Sequence, residues 1–153
     1  MRSGCNDSGF TLIELLLSVS VIAILSTLSL PFISAFQVRN NLDVAVNTIA
    51  QGVRRAQTLA TAAESDASCS AWGLYVQNTG IVIYCGANYS SRVVGYDEFY
   101  EVASNITVAN TGNANDVSFS KVFGVPNNPG TITLTEGNDS RMVTINGKGI
   151  VSY

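Results

Sequence analysis

The sequence predicts an α+β protein in which a long N-terminal helix packs on small antiparallel β-sheets. Two patterns in the 153 residues support this fold class. Up to about Ala63, apolar residues are either continuous or recur every three to four positions, which is typical of a helix. From Ala71 onward the apolar period falls to two and turn residues separate short segments, which is typical of strands joined by hairpins.

The first part of the predicted helix, Phe10–Phe36, is an apolar run in which Glu14 is the only ionisable residue. As a helix, its roughly 27 residues extend about 40 Å, which exceeds the ~30 Å hydrocarbon core of a bilayer. The sequence therefore predicts a transmembrane helix over residues 10–36. A carboxylate at membrane depth costs roughly 2.5–3.5 kcal/mol on insertion scales, so we expect Glu14 to have a partner and a function.

Pro31 lies within this run and lacks the backbone N–H that a helix uses. We therefore expect a kink or a short melted stretch near Leu28–Phe32. Two other interpretations of the run remain, an ordinary signal anchor and a secretory signal cleaved near Ala35. The single basic residue before the run, Arg2, is offset by Asp7, which is weak for a signal peptide.

The second part of the predicted helix, residues 37–63, is amphipathic. Its apolar side chains recur at spacings of three and four at Val38, Leu42, Val46, Ile49, Val53, Ala56 and Ala60. We expect this stripe to pack on a sheet, with Gly52 a tolerated weak point that costs up to ~1 kcal/mol relative to alanine. Arg54 and Arg55 are interpreted as a solvated face, with a binding patch as the alternative.

The second half of the chain predicts eight short strands. They are Trp72–Val76, Ile81–Cys85, Phe99–Ala103, Ile106–Ala109, Val117–Ser120, Thr131–Thr135, Arg141–Ile145 and Ile150–Tyr153. The first two flank Gln77-Asn78-Thr79-Gly80 and form a predicted hairpin. The clearest loops are Asn110–Asn115 and Pro126–Gly130.

The residues Gly9-Phe10-Thr11-Leu12-Ile13-Glu14 resemble the processing site of type IV prepilins and of type II secretion pseudopilins. The resemblance implies that a prepilin peptidase removes residues 1–9 as a leader by cutting between Gly9 and Phe10, and methylates the new terminus at Phe10. It also implies that Glu14 pairs with the terminal amine of a neighbouring subunit and that Pro31 loosens the assembly helix. Opposite charges attract far more strongly in a low-dielectric bundle than in water, which supports such a pair physically.

The same resemblance implies the location and the partners of the protein. A pilin-like chain lies in the bacterial inner membrane as a single-pass protein, with residues 64–153 as a β-rich periplasmic domain, and then enters a filament. The implied partners are other pilin or pseudopilin subunits, the prepilin peptidase and an inner-membrane assembly platform. A small-molecule substrate is not expected.

The second half is similar to the minor pseudopilin H and FimT-type minor pilin group. The likeness rests on Ala71–Val76, Gly80–Tyr84, Val117–Phe119 and Val143–Gly149. It implies a pilin-like fold with two small antiparallel sheets, and a structural subunit that primes or caps a type IV pilus or a type II secretion pseudopilus.

The alternative function that this group implies is DNA binding for natural transformation. Members that take up DNA have a glycine and closely spaced arginines near the C-terminus, and the matching segment here, Gly147-Lys148-Gly149, holds one cation. Arg141 is the second candidate for a DNA contact. Non-specific DNA affinity generally needs several phosphate contacts, so the alternative is a plain turn between strands.

The number of cysteines falls from three to two once the leader is removed. Cys5 leaves with the leader, and Cys69 and Cys85 remain as a pair. In an oxidising periplasm they are expected to form a disulfide worth roughly 3 kcal/mol, although two reduced, buried thiols are the alternative. Simple hairpin register does not place the two cysteines opposite one another.

Composition disfavours an enzyme. Only 12% of residues are charged, the formal net charge is −3 and histidine is absent, which removes the usual general base and the commonest metal ligand. Asp97, Glu98 and Glu101 could help to hold Ca²⁺, but a solvated polar turn is the favoured interpretation. Tyr96, Phe99 and Tyr100 are expected in the core or at a subunit contact. We therefore predict a protein that is not an enzyme, with no cofactor and no metal.

Overall fold

The computed structural model describes residues 9–62, 69–111 and 114–153, with the backbone alone at residues 28–32. One α-helix, α1, extends over Leu12–Thr61. Eight strands follow it: β1 Trp72–Gln77, β2 Gly80–Cys85, β3 Glu98–Glu101, β4 Thr107–Thr111, β5 Asp116–Phe119, β6 Gly130–Glu136, β7 Asp139–Ile145 and β8 Val151–Ser152. The chain forms two compact units that divide between Gln37 and Val38.

The strands form two four-stranded antiparallel sheets, with orders β3-β2-β1-β5 and β4-β6-β7-β8. All eight predicted strands are present, with ends that differ by a few residues at most, and the α+β class is confirmed. The β1–β2 turn is tighter than predicted, because Gln77 pairs with Gly80 and leaves two residues between the strands. Two 3₁₀ turns, Tyr89–Ser91 and Val94–Tyr96, were not predicted.

Some sequence predictions fall partly outside the described residues. They are the leader up to Ser8, the predicted helix end at Ala63 and the middle of the Asn110–Asn115 loop. At Leu28–Phe32 the backbone is α-helical, so the predicted melted stretch is wrong, whereas the kink stays a prediction. Pro31 removes only its own N–H from the helix, and the residues around it keep theirs.

The core of the second unit lies between α1 and the inner faces of both sheets. Its helical members are the predicted stripe, with Leu42, Val46, Ile49, Val53, Ala56 and Ala60 at most 3% exposed and Val38 partly buried. Sheet residues that alternate along the strands complete it, including Leu74, Ile81, Ile83, Val117, Ile132, Leu134, Val143 and Ile145. Each fully buried aliphatic side chain contributes about 1.5–3 kcal/mol, so this core is the main source of stability.

Gly52 has a packing role that the sequence interpretation missed. A Cβ at this position would lie 2.4 Å from Ile81 Cδ1 and 3.0 Å from Leu74 Cδ1. The glycine therefore lets α1 approach the β1–β2 hairpin closely. The sequence interpretation of Gly52 as a tolerated weak point is wrong, because the absence of a side chain at this position makes room for the sheet.

The outer face of the first sheet is covered by aromatic side chains. The ring of Tyr84 lies across Gly73, where a Cβ would meet it at 2.3 Å, and its hydroxyl donates to Asp116. Burial and this hydrogen bond together raise the pKa of Tyr84 above its usual range. Tyr89 stacks on Tyr75 with ring centroids 4.0 Å apart, so the loop after β2 closes over the sheet.

Candidate functional site

The start of α1 carries the predicted processing and assembly residues. Gly9 and Phe10 precede the helix, and the Phe10 side chain is 82% exposed. The backbone N–H of Glu14 donates to the side-chain oxygen of Thr11 at 3.3 Å, so Thr11 caps the helix. A threonine followed three residues later by a glutamate is the sequence pattern of a capping box, a signal that the sequence interpretation overlooked.

The capping geometry gives Glu14 a local role in the helix besides its predicted role in assembly. A carboxylate in the first turn interacts favourably with the positive end of the helix dipole. The side chain is exposed in the single chain. Any test of Glu14 in assembly must therefore separate the loss of a partner from the loss of helix stability.

The surface of α1 in the first unit is apolar on all sides and uncovered. Its exposed residues include Leu12, Ile13, Leu15, Leu16, Leu17, Val19, Val21, Ile22, Ile24, Leu25, Ile33 and Phe36, each between 46% and 79% exposed. A helix that is hydrophobic all round is ordinarily buried in lipid or in other protein. This surface therefore requires a covering from outside the chain.

Four described hydroxyl groups of this helical segment, those of Ser18, Ser20, Ser26 and Thr27, donate to its own backbone carbonyls. Ser18 donates to the Glu14 carbonyl at 2.7 Å, and Ser26 donates to the Ile22 carbonyl at 2.7 Å. Such bonds allow a serine to enter apolar surroundings without leaving a donor unpaired. The Glu14 carboxylate, in contrast, needs a partner from outside the chain when this segment is buried.

Within the described part of the chain, no helix is both long enough and apolar enough to cross a membrane.

The predicted cysteine pair forms a disulfide in the structure. Cys69 and Cys85 are joined with their Cα atoms 5.4 Å apart, and both are buried. The residue opposite Cys85 in the β1–β2 ladder is Trp72, so the bridge lies outside the ladder, as the hairpin register indicated. The bond fastens the segment just before β1 to the end of β2.

Arg54 and Arg55 are both exposed, as the solvated interpretation predicted, and Arg55 in addition forms an ion pair. The Arg55 guanidinium donates two hydrogen bonds to Glu98, at 2.8 and 2.7 Å, and so connects α1 to β3. The hydrogen bonds from Arg55 lower the pKa of Glu98, and Glu98 in turn raises the pKa of Arg55. Sequence periodicity could not identify this pair because its members are 43 residues apart.

Two of the three carboxylates considered for Ca²⁺, Asp97 and Glu98, are engaged elsewhere, and Glu101 is exposed. Asp97 accepts a hydrogen bond from Arg92 at 2.8 Å, and this contact raises the pKa of Arg92. Glu98 is bound to Arg55 as described above. Within the described ranges, no group of three or more His, Cys, Asp or Glu side chains is arranged to hold a metal ion.

The predicted aromatic cluster is divided between two environments. Tyr96 makes an edge-on contact with Trp72 at 6.1 Å between ring centroids, at the border of the core. Phe99 and Tyr100 lie on the edge strand β3 and are 54% and 41% exposed. Tyr96 therefore packs against the core, which is one of the two predicted environments. A subunit contact at Phe99 and Tyr100 stays a prediction.

The two candidate DNA contacts do not come together. Arg141 donates to Asp43 at 3.1 Å, beside the part of α1 that begins the second unit. The carbonyl of Lys148 lies 3.5 Å from the Gln57 amide. Gln57 comes fourteen residues after Asp43 in α1, which corresponds to about 20 Å along the helix axis. Arg141 is thus paired with Asp43 and lies far from Lys148 along α1, and a DNA contact at either residue stays a prediction.

A buried carboxylate that no sequence signal marked connects α1 to the second sheet. Glu136 is 5% exposed, and its Oε1 accepts from the Asn41 amide at 3.2 Å and from the Asn105 amide. Burying a charge is costly unless it is hydrogen-bonded, which explains the two amide donors. The contact holds the β6–β7 turn against the helix.

Comparison with known proteins supports the N-terminal assignment. Residues 5–30 match the family model of the prokaryotic N-terminal methylation motif. This motif is the type IV prepilin-like signal, and it supports a pilin-like protein that is processed by a prepilin peptidase and assembles with other pilins. The motif also supports a membrane-anchored, pilin-like structural subunit. No curated protein and no solved structure matches the chain significantly.

Proposed function

We propose that the protein is a minor pilin or pseudopilin, a structural subunit that primes or caps a type IV pilus or a type II secretion pseudopilus. One observation carries the proposal. The helix that contains the methylation motif exposes apolar side chains on all sides, and Glu14 is its acidic residue. A bundle of such helices would cover the apolar surface, and the terminal amines of its members would neutralise the carboxylates.

In this mechanism, cleavage after Gly9 creates a charged partner for Glu14. The ammonium of Phe10 in one subunit pairs with the Glu14 carboxylate of its neighbour, in surroundings where opposite charges attract strongly. In the lipid, an unpaired Glu14 raises the free energy of the single subunit. Residues 10–36 then anchor the chain in the inner membrane, and the β-rich domain lies in the periplasm before assembly.

The architecture of two sheets on one helix supports assignment to the minor pseudopilin H and FimT-type group. Two small antiparallel sheets pack on the amphipathic part of α1, which is the architecture that this likeness implied. Members of this group act near the tip of a filament or at the start of its assembly. A subunit at that position needs exposed contact surfaces, and Phe99 and Tyr100 on the edge strand β3 offer one.

The proposal is tested by replacing Glu14 and measuring incorporation into purified filaments. We expect Glu14→Ala to insert into the membrane normally but to be depleted about tenfold or more in filaments, because the charge partner is lost. Thr11→Ala is the matched control, since it removes the helix cap and keeps the carboxylate. Equal depletion of both variants, or normal incorporation of Glu14→Ala, would contradict the assembly role.

Processing is tested by intact mass. With the prepilin peptidase present, the mature chain should lack Met1–Gly9 and carry one additional methyl group on Phe10. Retention of the leader under those conditions would contradict the filament function. Deleting the gene and counting surface pili, with complementation, separates the possible machines. Loss of pili that complementation restores indicates type IV pilus assembly, and unchanged piliation indicates a secretion pseudopilin or a dispensable DNA-capturing pilin.

A second candidate function, DNA capture by a minor pilin, is favoured by one feature. Lys148 and Lys121 lie in loops that meet at the Gln57 side chain, and neither has an ion-pair partner among the described residues. Two cations provide about two phosphate contacts. If DNA is bound there, Lys148→Ala should reduce the salt dependence of the affinity by about one unit of slope. An unaffected slope would exclude this site.

A further inference from the structure

The turn that connects β7 to β8, residues 146–150, contains the one Asn-Gly pair of the sequence, Asn146-Gly147. The backbone N–H of Asn146 donates to the Ile150 carbonyl at 3.1 Å, and the Gly149 N–H donates to the Asn146 carbonyl at 2.9 Å. Asn146 and Gly147 are both exposed. The pair is therefore held in an ordered turn that water and hydroxide can reach.

The side-chain carbonyl of Asn146 is polarised by two backbone N–H groups. Its Oδ1 accepts a hydrogen bond from the Lys148 N–H at 2.9 Å and another from the Ile150 N–H at 3.0 Å. Two N–H groups directed at one carbonyl oxygen resemble an oxyanion hole, which stabilises the negative charge that develops when a nucleophile attacks the carbonyl carbon. The turn thus prepares Cγ of Asn146 for attack.

The backbone nitrogen of Gly147 is the adjoining nucleophile. Its N–H donates to no acceptor among the residues that the structure describes. A Cβ on Gly147 would have no atom within 4 Å, so no neighbouring group obstructs this side of the backbone. Because glycine has no side chain of its own, its backbone can turn toward the asparagine amide at little steric cost.

We propose that Asn146 is a site of spontaneous deamidation. The Gly147 nitrogen forms a bond to Cγ of Asn146, its proton is transferred to the departing amide nitrogen, and Nδ2 leaves as ammonia. The product of this step is a cyclic succinimide. Water then opens the ring at one of its two carbonyls and leaves an aspartyl or an isoaspartyl residue in the turn.

The modification changes both the charge and the geometry of the turn. Each product carries a new carboxylate close to Lys148, which has no ion-pair partner in the described part of the chain, and so offsets that cation. The isoaspartyl product also lengthens the main chain within the turn that places Gly149 against the Gln57 amide. The inference goes beyond the proposed function, because the reaction needs no other subunit.

Asn88 provides a control within the same chain. Its Oδ1 accepts two hydrogen bonds from Ser91, both at 2.9 Å, so its amide is polarised in a similar way. The nitrogen that follows it, that of Tyr89, donates to the Asp116 carboxylate at 3.2 Å and belongs to a bulky residue. We therefore expect Asn88 to stay intact under conditions in which Asn146 reacts.

Peptide mapping of the full chain by mass spectrometry, after incubation in detergent at mildly alkaline pH, tests the site. Trypsin cleaves after Arg141 and Lys148, which isolates Asn146 in the peptide of residues 142–148. We expect aspartyl and isoaspartyl forms of this peptide to accumulate, and to do so faster at higher pH because hydroxide removes the Gly147 proton. No conversion there, or equal conversion at Asn88, overturns the proposal.

Gly147→Ala separates the chemistry from the fold. The added Cβ meets no atom within 4 Å, so the turn should form unchanged, but the methyl group crowds the attacking nitrogen. We expect the conversion to slow about tenfold, which corresponds to roughly 1.4 kcal/mol in the barrier. An unchanged rate overturns the assignment of this nitrogen as the nucleophile.

Incubation in urea distinguishes the contribution of the turn from that of the Asn-Gly sequence. Unfolding removes the two N–H donors from Oδ1 of Asn146, so we expect the conversion to be slower in the unfolded chain than in the folded one. An equal or faster conversion in urea overturns the role of the turn. Circular dichroism at the same urea concentration verifies that the chain is unfolded.

Discussion

The two halves of α1 both carry many apolar side chains but have opposite surroundings. In the first unit, Leu16 is 60% exposed and apolar side chains point in all directions. In the second unit, Leu42 is fully buried and a single apolar stripe faces the sheets. The hydrophobic effect acts on both halves, but the chain itself covers only one of them. One continuous helix thus combines an internal folding element with a surface that needs other molecules.

The most direct test of this difference is to truncate one leucine in each half of α1. Leu42→Ala should destabilise the second unit by about 2–5 kcal/mol, because it leaves a cavity in the core. Leu16→Ala should leave that stability unchanged. Thermal unfolding of the full chain in detergent, followed by the fluorescence of the single tryptophan, Trp72, measures both variants. Equal losses would show that the two halves do not differ in this way.

The disulfide should matter only to the half that folds on the sheets. Replacing Cys69 and Cys85 by serine should lower the stability of the second unit by about 3 kcal/mol, because the unfolded chain loses a constraint. Wild-type and variant should melt alike once a reducing agent is added. A difference that persists under reduction would mean that the serines, rather than the missing bond, cause the loss.

Close packing in the second unit is tested by adding one methyl group. Gly73→Ala should cost about 1–3 kcal/mol, because its Cβ would overlap the Tyr84 ring. Gly147→Ala is the matched control, since a Cβ there has no atom within 4 Å. A melting temperature for Gly73→Ala equal to that of the control would show that Tyr84 can move aside at little cost.

The smallest expected effect is the pH dependence of the Arg55–Glu98 pair on the exposed side of α1. Pairing with Arg55 lowers the pKa of Glu98 in the folded state. The pair therefore stabilises the fold fully above the ordinary glutamate pKa, and this stabilisation is lost as the pH falls through the folded-state pKa. Glu98→Gln should therefore melt slightly below wild-type at neutral pH, and the two curves should converge as the pH falls below about 4. A constant difference across this range would contradict the pairing.

Most of the secondary structure could be predicted from the sequence, because each element has a local pattern. The helical stripe from Val38 to Ala60 was buried as its spacing required, and all eight strands were found from period-two segments between turn residues. The capping pattern of Thr11 and Glu14 was also present in the sequence, although it was overlooked. Such features depend on residues within a few positions of one another.

The contacts that arrange the second unit required the tertiary structure. The close approach at Gly52, the Arg55–Glu98 pair and the buried Glu136 each depend on residues that are far apart in sequence. The same holds for the turn at Val122, where φ is 72°, since the hydrogen bonds that hold it come from α1.

The sequence by itself determined that the N-terminal helix cannot satisfy its own surface, because a continuous apolar run with one acid has no polar face in any arrangement. It also determined the processing motif, which is a local string of residues. Only the tertiary structure decided which charges are neutralised within the chain and which apolar side chains remain outside the core. Those outcomes depend on distances between separate elements, and packing sets these distances only once the whole chain has folded.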